Sequence, residues 1–371
     1  MKKIASFLII ALAICLLPLA HTDNKSNGDA IAGFTVTKVT NSSAKVKTPD
    51  GKYQKLEAGK FYSFPATIKS ERAQVFIEFS IENTAKLLPR TTLALTSPTV
   101  RHPKLRLLTG SISLELDKFP KDHKMEITTP TAVCGAVGTH FEVSYSGESK
   151  QQGAALADPR HSQSFKCSKG EVYVQSDSFK IGNVKAGLEV LAETHKGKEN
   201  SYSKVVLNTG TSGNTFKINM SGADKELLAN KDTSFELAHT IDKELTVVKF
   251  ENDAFETDGF FSNSKIDVTP GKSFVKVGDK YIEDENTDAY LLAAKKEGQL
   301  DTQVREIDEQ LLIADENEKA NLEQQKQQLA TQRDSAATAA TAIAKRFRQN
   351  QNIRRTIDKV RQNIQRNRIR R

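Results

Sequence analysis

In TAVCGAVGTHFEV, residues 131–143, a cysteine, two glycines and a histidine break an otherwise apolar alternation. Cysteine and histidine can close disulfides or ligate metals, and a second pair, His161 and Cys167, follows across the polar loop 146–163. If 131–143 and SFKCSKGEVYVQS (164–176) form one antiparallel hairpin, an unbulged register places Cys134 opposite Cys167 and His140 opposite His161. Directly opposed residues have Cα atoms roughly 4.5–5.5 Å apart, within disulfide range. A zinc site built from all four has suitable ligands, but six residues of strand span about 20 Å, so one ion reaches both pairs only if the hairpin collapses. The residues therefore favour a Cys134–Cys167 disulfide over separate thiols, and either over a metal. Such a bridge would contribute about 3–4 kcal/mol. The glycines do not have phosphate-loop spacing, and they suggest a bulge or a close backbone approach. No metal or cofactor is expected.

Other chemistry is thinner. GTSGN at 210–214 is not a GxSxG elbow and lacks a strand-to-helix setting. YIEDENTD at 281–288 lacks the ligand order and central glycine of a helix-loop-helix calcium site, so it reads as a solvated linker. Facing carboxylates of the glycosidase kind cannot be assigned without knowing which strands are neighbours. The expectation is a protein that is not an enzyme.

The elements that position these residues are mostly strands. From Ala30 to about Asp284, short alternating runs such as QVFIEFS, SISLELD, THFEVSY and EVYVQSD are separated by Gly, Pro, Asn, Asp and Ser. This spacing favours antiparallel sandwiches or rolls. No fixed-period repeat is present. The polar stretch 192–204 is the best internal boundary, giving a β domain at 28–195 and a smaller second β region at 204–283. From 290 to 371 the chain reads as a long helical or coiled-coil extension, with neither Gly nor Pro after Gly298. Leu300, Val304, Ile307 and Leu311 form one apolar stripe, and Ile353, Ile357, Val360 and Ile364 form another. Between them, SAATAATAIA offers only small side chains, so a helical hairpin and one continuous coiled coil both fit.

The N-terminus has two lysines, an apolar run from Ile4 to Leu19 and Ala20 before polar sequence, which is the pattern of a secretory signal at 1–20. A retained anchor is the alternative. Lipid modification at Cys15 is disfavoured by the bulky Ile14 before it. The expected location is periplasmic or secreted. With this leader, disulfides are chemically permitted.

The net charge of +8 is concentrated at one end. Residues 345–371 contain 11 Lys or Arg and one acid, leaving −2 on the other 344 residues. Lys345, Arg346, Arg348, Arg354, Arg355, Lys359, Arg361, Arg366, Arg368, Arg370 and Arg371 form a candidate site for an anionic surface. With only Phe347 as an aromatic contact, base stacking is disfavoured and nucleic acid is not the expected partner. An acidic envelope polymer or an envelope protein is expected, with peripheral membrane contact and oligomerisation through the helices as further options. A merely solvated tail is the plain alternative.

One resemblance joins these elements. GSISLELDKFPKDHKMEITTPTAVCGAVGTHFEVSY, followed by FKCSKGEVYVQSDSFKIGNVKAGLEVL, resembles the FecR domain, the extracytoplasmic β domain of the ferric-citrate regulator family. The matching elements are Gly110–Leu116, Ile127–Val143, Lys169–Val174, and Ala186 with Gly187, and the likeness runs over about 31–195. Cys134 and Cys167 are not part of that pattern. The resemblance implies a jelly-roll-like β-sandwich. That family's cytoplasmic anti-sigma and membrane segments have no counterpart ahead of this β domain, so gripping a sigma factor is not expected. The combined expectation is a mainly β, non-enzymatic, exported binding or scaffold protein of the cell envelope. The alternative is an extracytoplasmic signalling component that recognises another envelope protein.

Overall fold

The computed structural model describes residues 33–80, 83–99, 102–117, 125–136, 138–146, 162–208, 216–220, 227–229, 232–251, 271, 273–277, 280–311 and 316–369. The leader at 1–20, Cys15, His161, GTSGN, Arg370 and Arg371 lie outside the described residues.

Sequence alternation becomes alternating burial, because successive side chains on a strand point to opposite faces. NTAKL buries Asn83, Ala85 and Leu87, and MEIT buries Met125 and Ile127. The chain deals these strands between two sheets. β1 (Gly33–Val39) lies in the second sheet, and β2 (Lys45–Lys47) and β3 (Tyr53–Lys55) lie in the first. β4 (Phe61–Ser63) returns to the second sheet and β5 (Ala66–Lys69) to the first. β6 (Val75–Ser80) and β7 (Asn83–Leu87) join the second, and β8 (Thr92–Thr99) joins the first. β9 (His102–Leu116) belongs to both, pairing with β8 along one half and β7 along the other.

Hairpins then alternate regularly. β10 (Met125–Thr128) and β11 (Val133–Ala136) enter the first sheet, and β12 (His140–Ser146) and β13 (Ser162–Lys169) enter the second. β14 (Glu171–Gln175) and β15 (Phe179–Lys185) follow in the first, then β16 (Glu189–Lys196) and β17 (Asn200–Asn208) in the second. β18 (Phe216–Met220) and β19 (Leu227–Ala229) close the first sheet. β20 (Thr233–Thr240), β21 (Leu245–Phe250), β22 (Ser273–Val277) and β23 (Lys280–Glu283) finish the second. From β14 to β21 each hairpin pairs with the one two steps earlier, as β13–β16, β15–β18 and β17–β20 show, whereas β22 pairs with the adjacent β21. Among the described pairings only β9–β10 is parallel. Phe34, Ile68, Ile112, Phe165, Val190 and Phe235 meet in one core between the sheets. The mainly β expectation therefore holds.

The boundary placed at 192–204 is corrected. Those residues are the β16–β17 hairpin, with Thr194 opposite Ser203 and His195 opposite Tyr202. The stretch is polar because its buried Glu193, Thr194, His195, Ser201 and Ser203 meet other polar groups, not water. Residues beyond 204 extend the same two sheets, and Ile218, Leu237, Val248 and Phe274 enter the same core.

Helical structure supplies a third layer. Asp284 accepts from the backbone N–H of Asn286 through its carboxylate and turns the chain into α1 (Thr287–Leu311). The residues of YIEDENTD that read as linker sequence thus end a strand and open this helix. α2 (Glu316–Ile369) runs back antiparallel, with Lys326 paired to Asp308 at 2.7 Å, Arg333 to Asp301 at 3.0 Å, and the Phe347 ring 6.0 Å from Tyr290. Of the two expected arrangements, the hairpin forms. Leu300, Val304 and Ile307 are buried, as are Ala336, Ala337, Ala340 and Ala344. The small alanines form this seam because they let two helix backbones approach closely. The hairpin covers the outer face of the second sheet, where Tyr202, Ala238, Val247 and Val275 pack with Tyr290, Leu291 and Phe347. This is why β21 is buried on both faces.

Candidate attachment surface on the C-terminal helix

The opening cysteine stretch is two strands, not one. Between Ala136 and His140 the chain passes from the first sheet, which holds β11, to the second, which holds β12. Cys134 therefore faces Ile127 and Val174, while Phe141 stands opposite Cys167 and His140 opposite Lys169. The expected Cys134–Cys167 bridge is absent and both are free, buried thiols. The register argument failed because it assumed a continuous strand, which this crossing interrupts.

Both thiols point into the same core. Burial, with Cys167 adding electrostatically, drives the Cys134 thiol far up. Burial also lifts Cys167 to about 11 against the backbone bond to Lys169. Protonated and inaccessible thiols are poor nucleophiles. Iodoacetamide is expected to leave both unmodified in the native protein and to alkylate both after unreduced denaturation. A denatured, unreduced protein that resists alkylation at both would show a bridge instead.

His140 sits in a charged cluster at the start of β12. Its Nε2 is 2.9 Å from Asp117 Oδ1, which also accepts from Lys169 Nζ at 2.6 Å. Lys169 first and His140 second hold the Asp117 carboxyl below the usual carboxylate range. Among the described residues, no three or more His, Cys, Asp or Glu side chains gather where a metal ion could bind.

Sequence reasoning missed a buried polar seam beneath the helices. Glu193 Oε1 is bonded to His195 at 2.7 Å and paired with Lys295 of α1 at 3.2 Å. Glu297 accepts from the backbone N–H of Glu199 and from Asn200 Nδ2, each at 2.6 Å. Tyr290 donates to Asn200 Oδ1 at 2.7 Å. Nearby, buried His239 sits 2.8 Å from the Thr240 carbonyl through Nδ1 and 3.0 Å from Ser178 Oγ through Nε2. The carbonyl can only accept, so Nδ1 carries the proton and neutral Nε2 accepts from Ser178.

Burial depresses the His239 pKa below 6.5, opposed by the Thr240 bond and aided by Lys243. Acid therefore protonates the unfolded chain first. Stability contributed by this neutral ring is complete above about pH 6.5 and is lost as pH falls from there toward the lower folded pKa. Denaturation midpoints taken down this window should fall more steeply for the native protein than for His239→Gln. Equal slopes would remove His239 as the cause.

Nine of the eleven basic residues lie on α2, and Arg370 and Arg371 lie outside the described residues. Lys345, Arg346, Arg348, Arg355, Lys359 and Arg361 are exposed, whereas the side chains of Arg354, Arg366 and Arg368 lie outside the described ones. Arg348 Nη2 reaches Glu244 at 3.0 Å, tying this segment to the β20–β21 turn. Phe347, the aromatic contact considered in the sequence, is 0% exposed and belongs to the helix–sheet core. Gln351, one turn on, is 6% exposed. The opposite face carries Ile353, Ile357 and Val360 at 59%, 46% and 51% exposure. Leu300, Val304 and Ile307 of the first stripe are thus buried and Leu311 is half-buried, whereas these three residues of the stripe led by Ile353 point outward.

A separate cleft of about 720 Å³ opens where α1 crosses one end of the sandwich. Thr129, Pro130 and Thr131, Tyr145, Lys196 and Glu306 line it. Burial, with Glu306 adding its charge, raises Tyr145 to about 12. Arg305 Nη2 donates to the Lys196 carbonyl at 2.6 Å and fastens the rim.

Comparison with known families adds one match: residues 66–172 fit the family described as FecR protein. The fitted span runs from β5 into β14, narrower than the 31–195 over which the likeness is visible. No curated protein matches the chain. Among the described residues, no helix is long and apolar enough to cross a membrane.

Proposed function

The chain carries a FecR domain, and on that premise we propose a non-enzymatic binding or scaffold protein of the extracytoplasmic envelope, periplasmic or secreted. The end of α2 attaches it to an anionic partner. One observation carries this reading: the cationic segment continues a helix whose preceding turns are fixed to the body through Phe347, Gln351 and the Arg348–Glu244 pair. With the helix anchored in this way, the exposed Lys345, Arg346, Arg355, Lys359 and Arg361 project from a fixed backbone, unlike those of a frayed tail.

A second reading, recognition of another envelope protein in a signalling pathway, draws support from the cleft. It combines hydroxyls, an aromatic ring and both charge signs, and its Thr129–Thr131 edge lies within the family match.

Crosslinking in cells tests the first reading. Deleting 345–371 would also remove Phe347 from the core, so the suitable variant is R355E/K359E/R361E, which changes exposed side chains only. Loss of envelope retention by this variant is expected, while unchanged retention and an unchanged partner set would reject attachment through α2. Turnover of envelope glycans by the native chain would instead support an enzyme.

A further inference from the structure

The outward face of α2 has a composition that narrows its partner. Ile353, Ile357 and Val360 recur at spacings of four and three, so they form one stripe, and it faces away from buried Phe347 and Gln351. Exposed Arg361, four residues after Ile357, borders the stripe, whereas exposed Lys359 and Arg355 leave the same turns from its far sides. The only acid in 345–371 is Asp358. By the pairing of Tyr290 with Phe347, α1 begins level with that ring, so the helix continues about 30 Å beyond its partner.

We propose that this face lies in the plane of an anionic phospholipid bilayer, with the aliphatic stripe at the acyl boundary and the cations reaching the phosphates. This inference rests on the attachment reading and names the surface. Aliphatic side chains flanked by lysine and arginine suit an interfacial helix, whose cations extend their stems along apolar surface while keeping their charges at the headgroups. A second copy would bring two strongly cationic segments together, which like-charge repulsion opposes. A dissolved polyanion would satisfy the cations but leave the stripe in water. A protein groove would be expected to take up an aromatic anchor, and the segment's only aromatic side chain, Phe347, is already buried in the body.

The test uses the full chain with vesicles of phosphatidylglycerol and phosphatidylcholine, and with vesicles of phosphatidylcholine alone. Binding is read as the excess on the anionic vesicles, so that any contribution of the apolar leader cancels. That excess should weaken with salt. It should fall at least about 30-fold in R355E/K359E/R361E and about tenfold in I353S/I357S/V360S. Circular dichroism and the unfolding midpoint should stay unchanged in both variants. Because the chain has no tryptophan, an I357W variant gives one emission signal, which should shift to the blue on anionic vesicles alone. No anionic excess, or an excess that the serine variant retains without a blue shift in I357W, overturns the bilayer assignment. In either case, continued charge-dependent retention on the envelope in cells would leave the attachment reading standing, and loss of that retention would remove both.

Discussion

Replacing Glu297 by alanine is expected to destabilise the protein by about 3–6 kcal/mol, two lost hydrogen bonds to a charged group at about 1.5–3 kcal/mol each. The carboxylate is fully buried between α1 and the β16–β17 hairpin, where its two oxygens bind the Glu199 N–H and the Asn200 amide. Alanine leaves both donors beneath a helix with no acceptor. Glutamine should fall between the two, since its amide keeps one oxygen acceptor but turns a second donor toward a donor. Chemical denaturation gives the total, and hydrogen exchange at Glu199 locates it. A cost below about 1 kcal/mol, or an amide that stays protected in Glu297→Ala, would show that this contact does not hold the helices to the sheet.

Gly110→Ala is expected to cost about 2–5 kcal/mol, adding about 1–2 for a left-handed backbone to about 1–3 for overpacking. Gly110 is the point at which β9 leaves the first sheet for the second, at φ 93°. A methyl group there would come within 2.5 Å of Thr91 Cα and 2.8 Å of the Arg90 carbonyl oxygen. Thr91 cannot move aside easily. Its hydroxyl exchanges two 3.0 Å bonds with the backbone of Ser111, and its N–H donates to Ser70 Oγ at 2.8 Å. Gly187→Ala is the control, because φ there is 87° but nothing lies within 4 Å of the added methyl. The difference between the two unfolding free energies isolates the clash. Equal costs would mean the crossing point is not tightly packed.

The two cysteines and the two helical stripes show where sequence reading stopped. Strand periodicity alone is enough to assign both Cys134 and Cys167 to strands, because alternation is a property of the local backbone. It carries no information about which sheet a strand enters. The crossing between Ala136 and His140 diverts β12 to the other sheet, so the numerical symmetry between the cysteine and histidine pairs has no spatial counterpart. Likewise, the stripes led by Leu300 and Ile353 are equivalent in one dimension. Among the described residues, only the first meets a partner, because the alanines between them make the closer seam.

Alternating side chains made the body β, and an unbroken run of helix-forming residues made the extension helical, because both follow from spacing along one chain. The concentration of cations at 345–371 was equally legible. Three features required the assembled molecule: the docking of that extension, the seam around Glu193 and Glu297, and the outward direction of Ile353, Ile357 and Val360. Each depends on contacts between residues tens of positions apart or more, whose free energy is set by what covers a face and not by the face's own composition.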